Sequence, residues 1–547
     1  MTDSSDRIAT SITRAMKSFR ITGASVSIVN GDNPVYVRHF GFADRRRNIP
    51  VEGSTLFRIG SITKVFTASA VMQLAEQGKI DIDKPIRDYI PEFSVKTRFP
   101  DAKPITVRSI LCHHAGLPCD NLSGYFTEDF EAFHSVIPFL RDSYAVCPPG
   151  RMFYYSNPGY ESLGVLVARI SGMRFHDYID NVLLRGLGMS GSSIALTGER
   201  KLALSKPYRL GREQTEEMMK GIPEGGIHST AADMALFMAA VMNRGKRLFT
   251  NAATLDAMLT PQYPGNAIDM SFVSGLGWFI GRPGLDDAGK VIWHDGGTPN
   301  FFSLVVCVPE HNLGITLLTN SATGAMMNHT LSVEILQPLL KESRGKSPPS
   351  SSGREPVDLS PDARRLSTGR FFTLSGIAVV FGSGGHLVAK LPSGSFRLLP
   401  HRDGWFGVLL MLFGFIPLKL KKLSMLRVGI LDINGEKVFA LEQLGFKGPQ
   451  GMHFRPLAVP DSWKQRTGRY VCLSEKNPRL KSFELRHSRD GLSLLMKADK
   501  MGRVNLFLDV VNDSEAVTVG YGRFAGETVI ASRDTVTVFG LEFTKAK

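Results

Sequence analysis

No stretch of this sequence approaches the ~20 consecutive apolar residues that a membrane-spanning helix needs, although 43% of its 547 residues are hydrophobic. The most apolar segment, Trp405 to Leu418, carries Gly407, Gly414 and Pro417 and runs into Lys419, Lys421 and Lys422. It reads as core strands of a β domain, with no membrane span expected. The amino terminus lacks a basic start and a continuous apolar core, because Asp3 and Asp6 stand where a secretory signal would carry lysine or arginine. A cytoplasmic location is therefore expected. Cysteine is scarce as well: five residues, odd in number and without metal-ligand spacing, fit reduced thiols better than a disulfide framework, a metal site or a cysteine nucleophile. Also missing are a glycine-rich phosphate loop, a zinc-finger spacing and an RNP-like motif. The net charge of +14 is accordingly read as a solvated basic surface and not as a nucleic-acid site; most of it falls in residues 361–547, which hold 28 Lys and Arg against 16 Asp and Glu.

One linker is plain, since "SRGKSPPSSSGREP" at 343–356 offers neither periodicity nor apolar surface. Before it, helical and strand patterns mix. A helix around Ser5 to Lys17 is followed by two strands that turn at Asn30 to Asn33, and "VIWHDGGTPNFFSLVVCVPEHNLGITLLTN" again reads as strands and turns. The class is α+β, with an antiparallel sheet assembled from both ends of the domain. After the linker nearly everything reads as short strands. "LSTGRFF" at 366–372 recurs as "QRTGRYV" at 465–471, a displacement of 99 residues, and each copy ends on a similar strand, "MHFRPL" and "LEFTKA". Two tandem antiparallel β-barrels follow, because closing each sheet removes its exposed edges.

The stretch "GSITKVFTASAVMQLAEQG" is apolar on nearly every face from Ile62 onward, and Gly78 provides a helix stop. If Ser61 begins this helix, Lys64 lies one turn on and both side chains can face one cavity. Apolar surroundings would lower the pKa of Lys64 and make it a base toward the serine, and the helix start would hold the Ser61 N–H for an oxyanion. The plain alternative is a serine capping a buried helix. Two distant features weigh against it. Tyr155-Ser156-Asn157 stands in a turn leading into a helix, and His294-Asp295-Gly296-Gly297 stands between strands. A proton-shuttling phenol, an orienting amide and a glycine-rich strand edge are what a Ser/Lys acyl-transfer site requires.

Ser-x-x-Lys, Tyr-x-Asn and a strand triad ending in glycine, in this order, resemble the signature of the penicillin-recognising serine hydrolases. That superfamily includes class C β-lactamases, DD-peptidases, family VIII esterases and D-aminopeptidases. "ITVRSILCHHAGLP", "PPGRMFYYSNPGYESLG", "LGMSGS", "GGIHSTAADMALFM", "GLGW" and "GITLLTNSA" also look like blocks of that family, so the likeness spans residues 20–340. It implies a β-lactamase/transpeptidase-like catalytic domain over 1–342, with its antiparallel sheet flanked by helices. It further implies Ser61 as acylated nucleophile, Lys64 as its base, Tyr155 as proton carrier to the leaving group, Asn157 as the group keeping substrate and lysine in register, and N–H groups of Ser61 and Gly297 as oxyanion hole. His294-Asp295-Gly296 departs from the β-lactamase Lys-Thr-Gly, which puts penicillins and carboxylate-ended peptides in doubt. His-x-Gly resembles D-aminopeptidases and several esterases. D-aminopeptidase also shares the overall plan, here a linker at 343–360 and lipocalin-like barrels at 361–457 and 458–547.

In D-aminopeptidase a loop of the last barrel narrows the site to substrates with a free amino end. Asp499 is the expected acidic partner here, with Glu475, Asp509 and Asp513 as competitors. The function implied is a D-stereospecific aminopeptidase or amidase acting on short peptides or amides, without cofactor or metal. A carboxylic esterase, and a partner-binding protein with a slow or silent site, are the alternatives. A homodimer is compatible with the sequence.

Overall fold

The computed structural model of the protein describes all residues except 1, 125–126, 128, 217, 345–354, 393, 413–415, 419–424, 474–479, 499–501, 522 and 547. In the first part, antiparallel strands lie in the order Ile49–Pro50, Asn33–Asp44, Gly23–Asn30, Leu313–Thr319, Phe302–Val308, Ile292–Gly297, Phe279–Ile280 and Val273–Ser274. Both ends of the domain thus meet in one sheet, with Gly23–Asn30 paired to Leu313–Thr319. The strand Phe302–Val308 shows why the sheet is internal. Leu304 and Val306 face a core shared with the helices Thr2–Phe19 and Gly324–Arg344, and the alternate residues Val305 and Cys307 face a second core. That second core takes in the helices Thr63–Glu76, Asn157–Ser171 and Ala231–Met242. Helices therefore cover both faces, as the α+β reading expects.

Both C-terminal units are closed barrels. In the first, strands from Gly369–Thr373 to Phe446–His453 form a ring of eight, closed by pairing Gly369–Thr373 with Phe446–His453 and Gly394–Pro400 with Phe406–Leu412. The second is a ring of eight from Gly468–Cys472 to Leu541–Lys545. The repeated Thr-Gly-Arg-aromatic motif opens each ring, and its aromatic residue, Phe371 or Tyr470, is buried in the barrel core. The apolar segment at 405–418 forms the strands Phe406–Leu412 and Ile416–Leu418, as read from the sequence. The domain edges differ slightly from expectation. The last catalytic-domain helix runs to Arg344, and Pro356 and Val357 already pair with His401 and Pro400 of the first barrel. Among the described residues no helix is long and apolar enough to cross a membrane.

Both barrels touch the catalytic domain near its motifs. The turn at Leu444 and Gly445 of the first barrel reaches Pro283, and the Lys447 N–H donates to Ser271 Oγ at 3.1 Å. From the second barrel, the loop between Glu515–Thr518 and Thr528–Ala531 reaches the segments around Cys119 and Val146. Its Glu527 carboxylate accepts from the Cys119 N–H at 2.6 Å, its Ala525 carbonyl accepts from the Tyr154 hydroxyl, and Gly526 lies against Val146.

Candidate active site

Ser61 occupies a single 3-10 turn, Gly60–Ile62, that leads straight into the helix Thr63–Glu76. No side chain caps either element, so the hydroxyl is not a helix cap; it lies 3.3 Å from Lys64 Nζ. Because the helix is apolar on every face, Lys64 is fully buried. Burial pulls its pKa down to about 8, against the opposing pull of the Glu224 and Asp120 carboxylates. Nζ donates to the Glu224 carbonyl at 3.0 Å and lies 3.8 Å from that residue's carboxylate. Burial in turn raises the Glu224 carboxyl to about 7, with Lys64 pulling it down. Glu161 and Lys220 stand behind this pair and act on Glu224 through their charges.

Lys64 Nζ also lies 4.8 Å from the centre of the Tyr155 ring. Burial pushes the Tyr155 phenol well above its ordinary value, with a hydrogen bond to Ser61 pulling the other way, so the group is a neutral donor at physiological pH. The "CHHAGLP" block fixes this tyrosine. The His113 ring packs against Tyr155 at 4.4 Å, and its Nδ1 accepts the Ser156 N–H at 3.2 Å. His114 Nε2 holds Asp269 at 2.8 Å, and Asp269 accepts the Phe153 N–H at 2.6 Å.

The strand Ile292–Gly297 pairs along its whole length with Phe302–Val308, whereas on its other side only Ile292 and Trp293 find strand partners. Residues 294–297 therefore present an open edge to the Ser61 turn. A Cβ on Gly60, whose φ is +52°, would stand 2.7 Å from the Gly297 nitrogen, and one on Gly296 would stand 1.8 Å from the Ile59 carbonyl oxygen. Only glycine at both positions lets turn and strand approach this closely.

His294 is buried at 2% exposure beneath the Phe279 ring, 5.0 Å away, with Nδ1 at 2.6 Å from the Asp295 carbonyl. Burial lowers its pKa to about 4, so it brings no positive charge where the β-lactamase lysine would stand. Its neighbour Asp295 faces a cavity of about 650 Å³ that Tyr155, Phe279, Trp293, Phe446 and Arg523 also line. Burial alone would raise the Asp295 carboxyl. The hydrogen bond with His329, together with the positive charge of the Arg282 guanidinium, outweighs it and holds the group at about 2.

Asn157 anchors its amide on Asp120. Nδ2 donates to Asp120 at 2.7 Å, while Oδ1 is buried without a hydrogen-bond partner among the described residues. The lysine is held by Glu224. Asp120 is clamped by the guanidinium of Arg523, whose Nε and Nη2 reach one carboxylate oxygen at 2.9 and 2.6 Å. A loop of the last barrel therefore does reach the site, bringing the Arg523 guanidinium to Asp120 and the Glu527 carboxyl to the Cys119 N–H. Asp499 and Glu475 lie outside the described residues. Asp509 pairs with Arg98 and Arg455, and Asp513 accepts from Ser462, away from the cavity.

Sequence reasoning missed Glu224, Asp120, Arg523 and the part of Asp295. An acid inside the apolar "IPEGGIHS" was a usable signal for Glu224; nothing local marked Arg523, which acts from another domain. Burial pushes the thiols of Cys112 and Cys147 up to about 12 and those of Cys119 and Cys307 upward as well, so these four are poor nucleophiles.

Comparison with known proteins gives the family. A family profile described as beta-lactamase matches residues 8–337. Protein flp of Staphylococcus aureus (strain NCTC 8325 / PS 47) is 24% identical over 325 residues, 58% of this chain and 63% of flp, so the chain spans less than two thirds of that relative's length. Penicillin-binding protein 4 of Amycolatopsis lactamdurans is 27% identical over 369 residues, 62% of this chain and 92% of its own. Among solved structures, SurE with D-Leu superposes with a TM-score of 0.58 at 22% identity, covering 83% of this chain and all of SurE. At that identity the likeness is one of fold, and it extends past the catalytic domain into the barrels. With the profile covering more than half of its length, the chain belongs to the beta-lactamase family of serine hydrolase folds.

Proposed function

We propose that the protein is a serine hydrolase working through an acyl-enzyme on Ser61, with short peptides or amino-acid amides bearing a free amino end as substrates. The observation that carries this reading is the buried Ser61–Lys64 contact of 3.3 Å, in which Lys64 has a pKa of about 8. Neutral Lys64 takes the Ser61 proton, Oγ attacks the carbonyl, and the N–H groups of Ser61 and Gly297 receive the oxyanion. Tyr155 is the worse base of the two, since its phenol is held neutral. It delivers the proton to the departing amine, and water then releases the acyl group by the reverse relay. Neutral His294 and anionic Asp295 disfavour substrates with a carboxylate on that side, such as penicillins. Preference for D-residues is carried from the shared plan of D-aminopeptidase and from SurE, solved with D-Leu. A carboxylic esterase is the second reading, favoured by the apolar walls of the cavity.

Intact mass after treatment with a fluorophosphonate should show one adduct, lost in Ser61→Ala; no adduct on the native protein would sink both readings. Rates on D-Ala, L-Ala and Gly p-nitroanilides against p-nitrophenyl acetate and butyrate then separate aminopeptidase from esterase. Acylation should rise with pH through a midpoint near 8, where Lys64 loses its proton.

A further inference from the structure

Asp295 is the acid in a cavity lined mainly by aromatic and aliphatic side chains. Aromatic rings surround it in contact series: Phe153 on Phe272 at 5.4 Å, Phe279 on Trp293 at 4.8 Å, and Trp293 on Phe446 at 5.1 Å. All five line the same cavity. Among its described lining residues the charged or basic side chains are Asp295, His329 and Arg523, and the other titratable ones, Cys119, Tyr154 and Tyr155, are held neutral by burial. Arg523 is engaged by Asp120. His329 Nε2 lies 3.3 Å from the Asp295 carboxylate, whose side chain remains 46% exposed. Arg282 acts on this carboxylate through its charge and stacks on the Trp293 and Phe446 rings at 5.1 and 5.8 Å, yet nearly half of the Asp295 side chain stays open, where a second cation can reach it and the ring faces favour that charge.

Its placement along the strand says which cation. Asp295 and Gly297 are two residues apart and so share a face, about 6.7 Å from each other along the strand. An N–H···O bond of about 2.9 Å from Gly297, ~3 Å from that carbonyl oxygen to an ammonium on the next carbon, and a charge-assisted contact of about 2.8 Å together exceed that span, so the amine of a bound acyl donor can reach the carboxylate. From this we propose that Asp295, steadied by His329, binds the protonated α-amine of the acyl donor, while the rings of Phe153, Phe272, Phe279, Trp293 and Phe446 take a large apolar side chain beside that amine. The substrate class is then an N-terminal aromatic or bulky aliphatic residue, not a small one. The inference rests on the acyl-enzyme reading of Ser61.

The test uses the full chain carrying Ser61→Ala, which binds without turnover, and isothermal calorimetry. Phenylalaninamide of either configuration should bind at least about 10-fold more tightly than 3-phenylpropionamide, which lacks only the amine, and more tightly than glycinamide by a similar factor. Adding Asp295→Asn should collapse the amine preference to about 1-fold, with an unchanged thermal melt showing that the fold persists. Equal binding of the amine and its deaminated analogue in the Ser61→Ala protein overturns the amine site, and equal binding of glycinamide overturns the apolar subsite. A native protein that takes no fluorophosphonate but shows the amine preference leaves Asp295 standing as a binding group and removes the hydrolase reading instead.

Discussion

The first barrel meets the catalytic domain with an apolar hairpin, and the second meets it with a polar loop. Phe446 of the first packs on Trp293 and His329, next to Asp295. Arg523 of the second grips Asp120, which holds the Asn157 amide. Both units start from the same Thr-Gly-Arg-aromatic repeat and close by the same first-to-last strand pairing. What differs is the connection presented to the site: a tight turn between two strands in one case, a longer loop rich in polar contacts in the other. A barrel core can be kept while its connections diverge, because loops carry few of the contacts that close the ring. On the proposed acyl-enzyme reading, one barrel shapes where the substrate lies, and the other sets the charge felt by Lys64.

This division predicts different kinetic signatures. Arg523→Ala should have the largest effect, because it leaves the buried Asp120 carboxylate without its guanidinium. Close charge pairs broken on one side cost ~2–5 kcal/mol. Arg523 is half exposed, so a loss at the low end, about 10- to 100-fold in kcat/KM, is expected. The guanidinium also lowers the pKa of Lys64, so its removal should move the acylation midpoint above about 8. Phe446→Ala should come next, raising KM for bulky substrates about 10-fold through lost apolar contact, with the midpoint staying near 8. A midpoint that moves in Phe446→Ala and stays still in Arg523→Ala would reverse the assignment of the two barrels. A smaller change sharpens the electrostatic half. Glu224 raises the Lys64 pKa, so Glu224→Gln should bring the midpoint below 8 and increase acylation at pH 7 by roughly 3-fold. Stopped-flow acylation across pH reads all three variants.

Local pattern carried much of this molecule. Helix periodicity and the Gly78 stop placed the buried helix behind Ser61 within two residues. The glycines at 296 and 297 marked a strand edge, and the 99-residue repeat announced two barrels whose shared aromatic is buried in each. Hidden from the sequence were the contacts made across domains. Arg523 and Asp120 are 403 positions apart, and Lys64 and Glu224 are 160 apart. Neither spacing has a local signature. Asp295 was visible inside "HDGG" but overshadowed by His294, because alternation along the strand, which buries one and exposes the other, becomes informative only once the facing elements are known. Asp499, the acid expected from a barrel loop, lies outside the described residues, and Arg523 reaches Asp120 from a different loop of the same barrel.

The least disruptive change tests whether the loop acts by charge or by position. Tyr521, two residues before Arg523, donates its hydroxyl to Glu436 of the first barrel at 2.8 Å, and Arg151 of the catalytic domain pairs with the same carboxylate at 2.9 Å. This junction ties all three units together without touching the cavity. Tyr521→Phe removes one hydrogen bond, worth ~0.5–1.5 kcal/mol, and the half-exposed Glu436 carboxylate can regain water, so the low end applies. A fall of about 2-fold in kcat/KM is expected, with the midpoint staying near 8, since Arg523 keeps its charge and its partner. If Tyr521→Phe instead reproduced the whole loss of Arg523→Ala, the position of the loop rather than its guanidinium would govern the site. The contrast between an apolar wall and a charged clamp would then reduce to two ways of holding one loop still.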